Sequence, residues 1–116
     1  TIADSISAGV PRDRAKALRA VRDTGGAFVS VSDAEIIQAI PKLARLTGVF
    51  SEPAAAASYA GAHRAVELGY IRPEDRIALL LTGNGLKDVK RAQESVAGGL
   101  RVAPDLTSVR RALQMD

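Results

Sequence analysis

Five apolar residues in unbroken succession, Ile77-Ala78-Leu79-Leu80-Leu81, constrain this chain more than any other stretch. A strand with one solvated face alternates apolar and polar residues. A run without alternation belongs to a strand covered on both faces, as in a parallel sheet flanked by helices. Such a strand ordinarily has neighbours on both edges, yet the 116 residues offer only one or two partners. The clear one is Ala27 to Val31, which is partly β-branched and bounded by Gly25-Gly26 and Ser32. A sheet that small leaves main-chain N–H and C=O groups bare at an edge. It is expected to be completed by another chain or by more of the same polypeptide. The chain opens Thr-Ile-Ala-Asp without an initiating Met, which favours the second, so residues 1–116 read as a single segment of something longer.

Helix patterns lie between and around these strands. Residues 11–23 read as a helix with Pro11 in its first turn, Leu18 and Val21 on an apolar stripe, and Gly25-Gly26 at its end. Ser32-Asp33-Ala34-Glu35 is a capping box, and Ile36, Ile37, Ile40, Leu43 and Ala44 follow at helical spacing. Pro41 sits inside that pattern and predicts a kink or a break. Glu52-Pro53 opens a third helix that runs to about Glu67 and stops at Gly69; from Ala54 to Ala62 it is small on nearly every face, so other backbones can approach it closely. Thr82-Gly83-Asn84-Gly85 turns the chain, Leu86-Lys87-Asp88 begins another helix, and a last one carries Leu106, Val109 and Leu113 on one face. Strand, helix, helix, strand, helix is an α/β order.

Composition excludes several classes of function. There is no Cys and only one His, His63, which leaves no disulfide framework, thiolate metal site or multi-His zinc site. Zero cysteines fit a reducing compartment such as the cytoplasm. No run approaches the roughly 20 apolar residues that cross a bilayer, and no charged-then-apolar leader opens the chain. A net charge of +3, scattered basic residues and only four aromatics (Phe28, Phe50, Tyr59, Tyr70) argue against nucleic acid.

The chemistry-bearing residues gather after the apolar run. The carboxyl end of a strand in an open α/β sheet is where such sheets bind ligands, and Thr82 stands there, just before Gly83-Asn84-Gly85. The spacing is neither a Walker A loop nor a dinucleotide fingerprint. The glycines can equally be a tight turn that needs positive φ, and Thr82 can equally bond its own main chain. Glu52 before Pro53 is either an acid aimed at a ligand or a carboxylate complementing the helix dipole. His63 reads as a core or surface residue, and Lys16, Lys42, Lys87 and Lys90 lie in solvated patterns. Spacing alone thus yields a crevice edge without a nucleophile or base.

Several stretches resemble the threonine synthase family: Thr1 to Ser7 with Gly9 and Pro11-Arg12, Ser32-Asp33 with Glu35-Ile36, and Gly48-Val49-Phe50-Ser51-Glu52-Pro53-Ala54. The closest likeness is Leu81-Thr82-Gly83-Asn84-Gly85-Leu86-Lys87-Asp88, which departs from the family's usual pattern only at Asn84, where His is common. The likeness runs from Thr1 to about Asp105. The Glu-Pro-Ala motif is shared with other fold-type II pyridoxal phosphate enzymes. The resemblance implies a partial three-layer αβα architecture with an incomplete, mostly parallel sheet, the C-terminal part of a large catalytic domain. It implies pyridoxal 5'-phosphate as cofactor and conversion of O-phospho-L-homoserine and water to L-threonine and phosphate. The cofactor-binding residues it implies are Thr82, whose hydroxyl would meet the pyridine nitrogen, with Gly83 and Glu52 beside it. No catalytic residue is expected here, because the Ser-x-Lys-Asp motif of the family's Schiff-base lysine and its glycine-rich phosphate cup are absent from these residues, and the lack of Cys and the single His leave no metal ligand expected. The expected partners are a small-molecule substrate and the remainder of the same polypeptide, with a homodimer left open. The rival readings are a threonine or serine dehydratase-type segment and a truncated, non-catalytic binding module.

Overall fold

Ser32 starts the best-defined helix. Its hydroxyl oxygen accepts from the Glu35 N–H at 3.2 Å while the Glu35 carboxylate accepts from the Ser32 N–H at 2.6 Å, so the capping box forms in full. The computed structural model describes residues 1–114, and its helices are α1 (Arg14–Asp23), α2 (Asp33–Thr47), α3 (Pro53–Glu67), α4 (Val89–Glu94) and α5 (Leu106–Leu113). Short 3-10 turns occupy Asp4–Ile6 and Gly85–Asp88. Among the described residues no helix is long and apolar enough to cross a membrane.

Ile36, Ala39 and Ile40 of α2 lie at the spacing that puts them on one face. They pack against Ala56 and Ala60 of α3, with Ala3 closing the cluster and Ile2, Val31, Phe50 and Tyr59 around it. The small residues of α3 let the two helices approach. α2 ends where Gly48 turns left-handed at φ +75°, and α3 begins on Pro53 at a first-turn position where its missing N–H costs nothing.

Several expectations differ from the structure. Of the kink or break expected at Pro41, the break does not occur, and α2 runs from Asp33 to Thr47. An interior proline costs about 3 kcal/mol, but Ile40 and Leu43 beside it are both buried, and each contributes about 1.5–3 kcal/mol by leaving water. Packing wins. The helix expected from Leu86 is a 3-10 turn to Asp88 followed by the short α4, and the first helix starts at Arg14 rather than Pro11.

The last difference concerns the sheet. Residues 27–31 and 76–82 are not in a strand, and among the described residues the only β-pairing is an isolated antiparallel bridge between Ser51 and Asn84. Among the described residues the expected incomplete, mostly parallel sheet is therefore not confirmed. A strand satisfies none of its own main-chain groups, so without a neighbour the apolar run gains no hydrogen bonds by becoming one. The run expected to be covered on both faces is instead bare, Ile77 being 53% and Leu80 80% exposed.

Candidate functional site

The Ser51–Asn84 bridge brings the Thr82–Gly85 limb to the start of α3. The Glu52 N–H donates to the Gly83 carbonyl and the Gly85 N–H donates to the Phe50 carbonyl, both at 3.1 Å. The two glycines are where the segments come closest. A Cβ on Gly83 would overlap the Glu52 carboxylate, and one on Gly85 would overlap the Phe50 ring. Neither has positive φ; those glycines are Gly25, Gly48 and Gly69. Close approach, not turn geometry, requires glycine here.

Glu52 is 5% exposed and precedes α3, but its side chain caps no amide of that helix. The carboxylate turns instead towards Gly83. Its Oε2 accepts from the Ser5 hydroxyl at 3.4 Å, and its Oε1 lies 3.7 Å from Lys87 Nζ. Glu52 thus stands at the N-terminus of α3, as the dipole reading requires, and also belongs to a side-chain cluster. Ser51, next to it, is buried, and its Oγ has no hydrogen-bond partner among the described residues. Thr82 is exposed. Among the described residues its hydroxyl makes no hydrogen bond, so the alternative of a Thr tied to its own main chain is not what this fold adopts.

Of the three residues expected at the site, Glu52 and Gly83 meet directly and Thr82 adjoins them. Sequence reasoning missed Ser5, Ser51 and the role of Lys87. Ser5 and Lys87 lie far along the chain from Glu52, and no local pattern could pair them. Asn84, where His is common in the resembling family, accepts the Leu86 N–H at 2.9 Å through Oδ1 and caps the 3-10 turn. His63 pairs with Glu67 at 3.4 Å on the exposed side of α3, within a groove of about 180 Å³ that includes Glu35, Lys42 and Tyr59 but none of the site residues. Among the described residues no three acidic or His side chains converge as a metal site.

Residues 1–83, which include Glu52, Thr82 and Gly83, match the family described as pyridoxal-phosphate dependent enzyme. The chain belongs to that family. Its cofactor is pyridoxal phosphate. Over 98% of its length the chain is 39% identical to the threonine synthase of Methanocaldococcus jannaschii, covering 28% of that protein. It is 38% identical to that of Mycobacterium bovis over 94% of its length, covering 30% of that protein. Against the threonine synthase of a Bacillus species it is 43% identical over 76% of its length. The chain thus spans less than a third of the curated relatives it matches.

The site's polar groups comprise an exposed neutral hydroxyl (Thr82), a buried hydroxyl without a partner among the described residues (Ser51) and a buried carboxylate (Glu52), a chemistry compatible with a polar heteroaromatic ligand.

Proposed function

We propose that residues 1–116 are the C-terminal portion of the catalytic domain of a threonine synthase-like enzyme. It would convert O-phospho-L-homoserine and water to L-threonine and phosphate in the cytoplasm, and this portion supplies the pyridine-nitrogen side of the cofactor site. The observation that carries the reading is the Thr82-Gly83 limb held against Glu52 at the start of α3. The similarity to threonine synthases over nearly the whole chain supports it.

Bound pyridoxal phosphate supplies an electron sink for carbanions beside the substrate's amino group. Thr82 would bond the ring nitrogen. A neutral hydroxyl carries no charge with which to hold a proton there, as a carboxylate would, and the ring stays a weaker sink. Carbanion character would then stay nearer the substrate carbons where elimination and addition occur. Glu52 and Gly83 fix the limb on which Thr82 stands. No proton transfer or covalent step is assigned to these residues; the reactive lysine is expected on the remainder of the polypeptide, so the 116 residues alone should be inactive.

The test uses the full-length protein. Release of phosphate and threonine from phosphohomoserine supports the reading; oxoacid from threonine or serine instead assigns a dehydratase, and absence of bound pyridoxal phosphate assigns a non-catalytic module. Thr82→Ala should lower turnover about two- to tenfold, the worth of one hydrogen bond, and weaken cofactor binding, while Thr82→Ser restores both. Unchanged kinetics in Thr82→Ala remove the ring-nitrogen assignment.

A further inference from the structure

Glu52 takes part in more than its own placement. Its buried carboxylate needs partners to stay charged out of water, and it has one for each oxygen: Ser5 from the 4–6 turn and Lys87 from the 85–88 turn. Lys87 is itself fixed at its main chain, where its N–H donates to the Asn84 carbonyl at 3.1 Å. Asn84 is the residue bridged to Ser51. A closed circuit results, running from Glu52 through its amide to Gly83, along the chain to Lys87, and back through the ammonium to the Glu52 carboxylate. Thr82 immediately precedes this circuit and, among the described residues, has no hydrogen bond of its own to hold it.

Resting on the function proposed above, we infer that Lys87 is a positioning residue for the Thr82 hydroxyl. By pairing with buried Glu52 it clamps the 82–88 limb onto residues 50–52, so that Thr82 meets the cofactor ring at a fixed place. Lys87 is 65% exposed at its side chain and lies outside the α2–α3 core. Its loss should therefore loosen the limb without unfolding the protein. The clamp also explains why the Glu52 side chain forgoes capping α3.

Amide exchange and steady-state kinetics on the full-length protein, wild type against Lys87→Met and Lys87→Arg, test this. The Glu52 and Gly85 amides are the two rungs of the clamp. In Lys87→Met they should exchange about three- to fivefold faster, the scale of a mostly exposed ion pair, while the Ile40 amide in α2 keeps its rate. The kcat for phosphohomoserine should fall with KM unchanged, and Lys87→Arg should restore both readouts. Unaltered exchange at Glu52 and Gly85 overturns the inference, as does equal acceleration at Ile40 or failure of Lys87→Arg to rescue. If the wild type binds no pyridoxal phosphate, the proposed function falls, and the exchange rates alone decide whether Lys87 clamps the limb.

Discussion

A Cβ placed on Gly85 would occupy the volume of the Phe50 ring, and one on Gly83 that of the Glu52 carboxylate. These are different obstacles. Phe50 packs against the α2–α3 cluster, so its ring can yield only by disturbing that packing. Overfilling such a site costs about 1–3 kcal/mol, and Gly85→Ala should lose that much in denaturant unfolding of the full-length protein. The Glu52 carboxylate is the end of a flexible chain and can swing away, but only by leaving Ser5 and Lys87. Gly83→Ala should therefore cost less stability than Gly85→Ala and more cofactor affinity, read by fluorescence titration with pyridoxal phosphate. The reverse ranking would mean that the two glycines have been assigned the wrong neighbours. At this scale Thr82, Gly83 and Glu52 could be singled out from sequence because each stands beside a local marker: a strand-like run, a glycine pair, a proline. Ser5 carried no marker, and the ion pair that recruits Lys87 spans 35 residues of chain.

The start of α2 shows what an element can reveal locally. Ser32 and Glu35 satisfy each other's neighbouring main-chain groups, a contact four residues long, and sequence alone predicted it. The Ser32 hydroxyl and N–H both donate to the Glu35 carboxylate at 2.6 Å and hold its pKa below the ordinary 4.5. Asp33 is held below its ordinary 3.8 by the Thr1 hydroxyl at 2.6 Å and the Ile2 N–H at 3.2 Å. Both groups have lowered values in the folded state. They contribute stability above their ordinary values and lose it as pH falls through the depressed ones. Exchange of the α2 first-turn amides, corrected for its intrinsic pH dependence, should therefore show falling protection below about pH 4. Ser32→Ala should cost about 1 kcal/mol at neutral pH and flatten that acid limb. An acid limb of undiminished size in Ser32→Ala would trace the loss to some other carboxylate. The Ser32 capping box and Pro53 at the head of α3 are decided within a few residues, and these boundaries were legible. The path of α2 through Pro41 was not, because contacts with α3 decide it.

Among the described residues the buried hydrophobic core comprises Ile36, Ile40 and Leu43 with six alanines. A core of that size holds two helices together but not the whole chain. The radius of gyration is 18.7 Å, against about 13 Å for a compact domain of this length. Leu80, Leu86 and Leu106 are each more than half exposed. The pattern of residues 77–81 reads as a strand, but pairing requires a second strand, and among the described residues the run pairs with none and is not a strand. The same bareness predicts how the 116 residues behave alone. Apolar surface and unpaired main chain at 76–82 can be covered only by other molecules, so the isolated chain should self-associate and bind an apolar dye. Sedimentation velocity across a concentration series should show mass rising above the monomer, and heating should give a broad transition. Charged substitutions at Leu79 and Leu80 should return it towards the monomer without altering the α2–α3 helical signal, because neither residue belongs to that core. A sharp, concentration-independent monomeric melt would mean that residues 76–82 find a partner within these 116 residues, and the apolar run would no longer require one from outside.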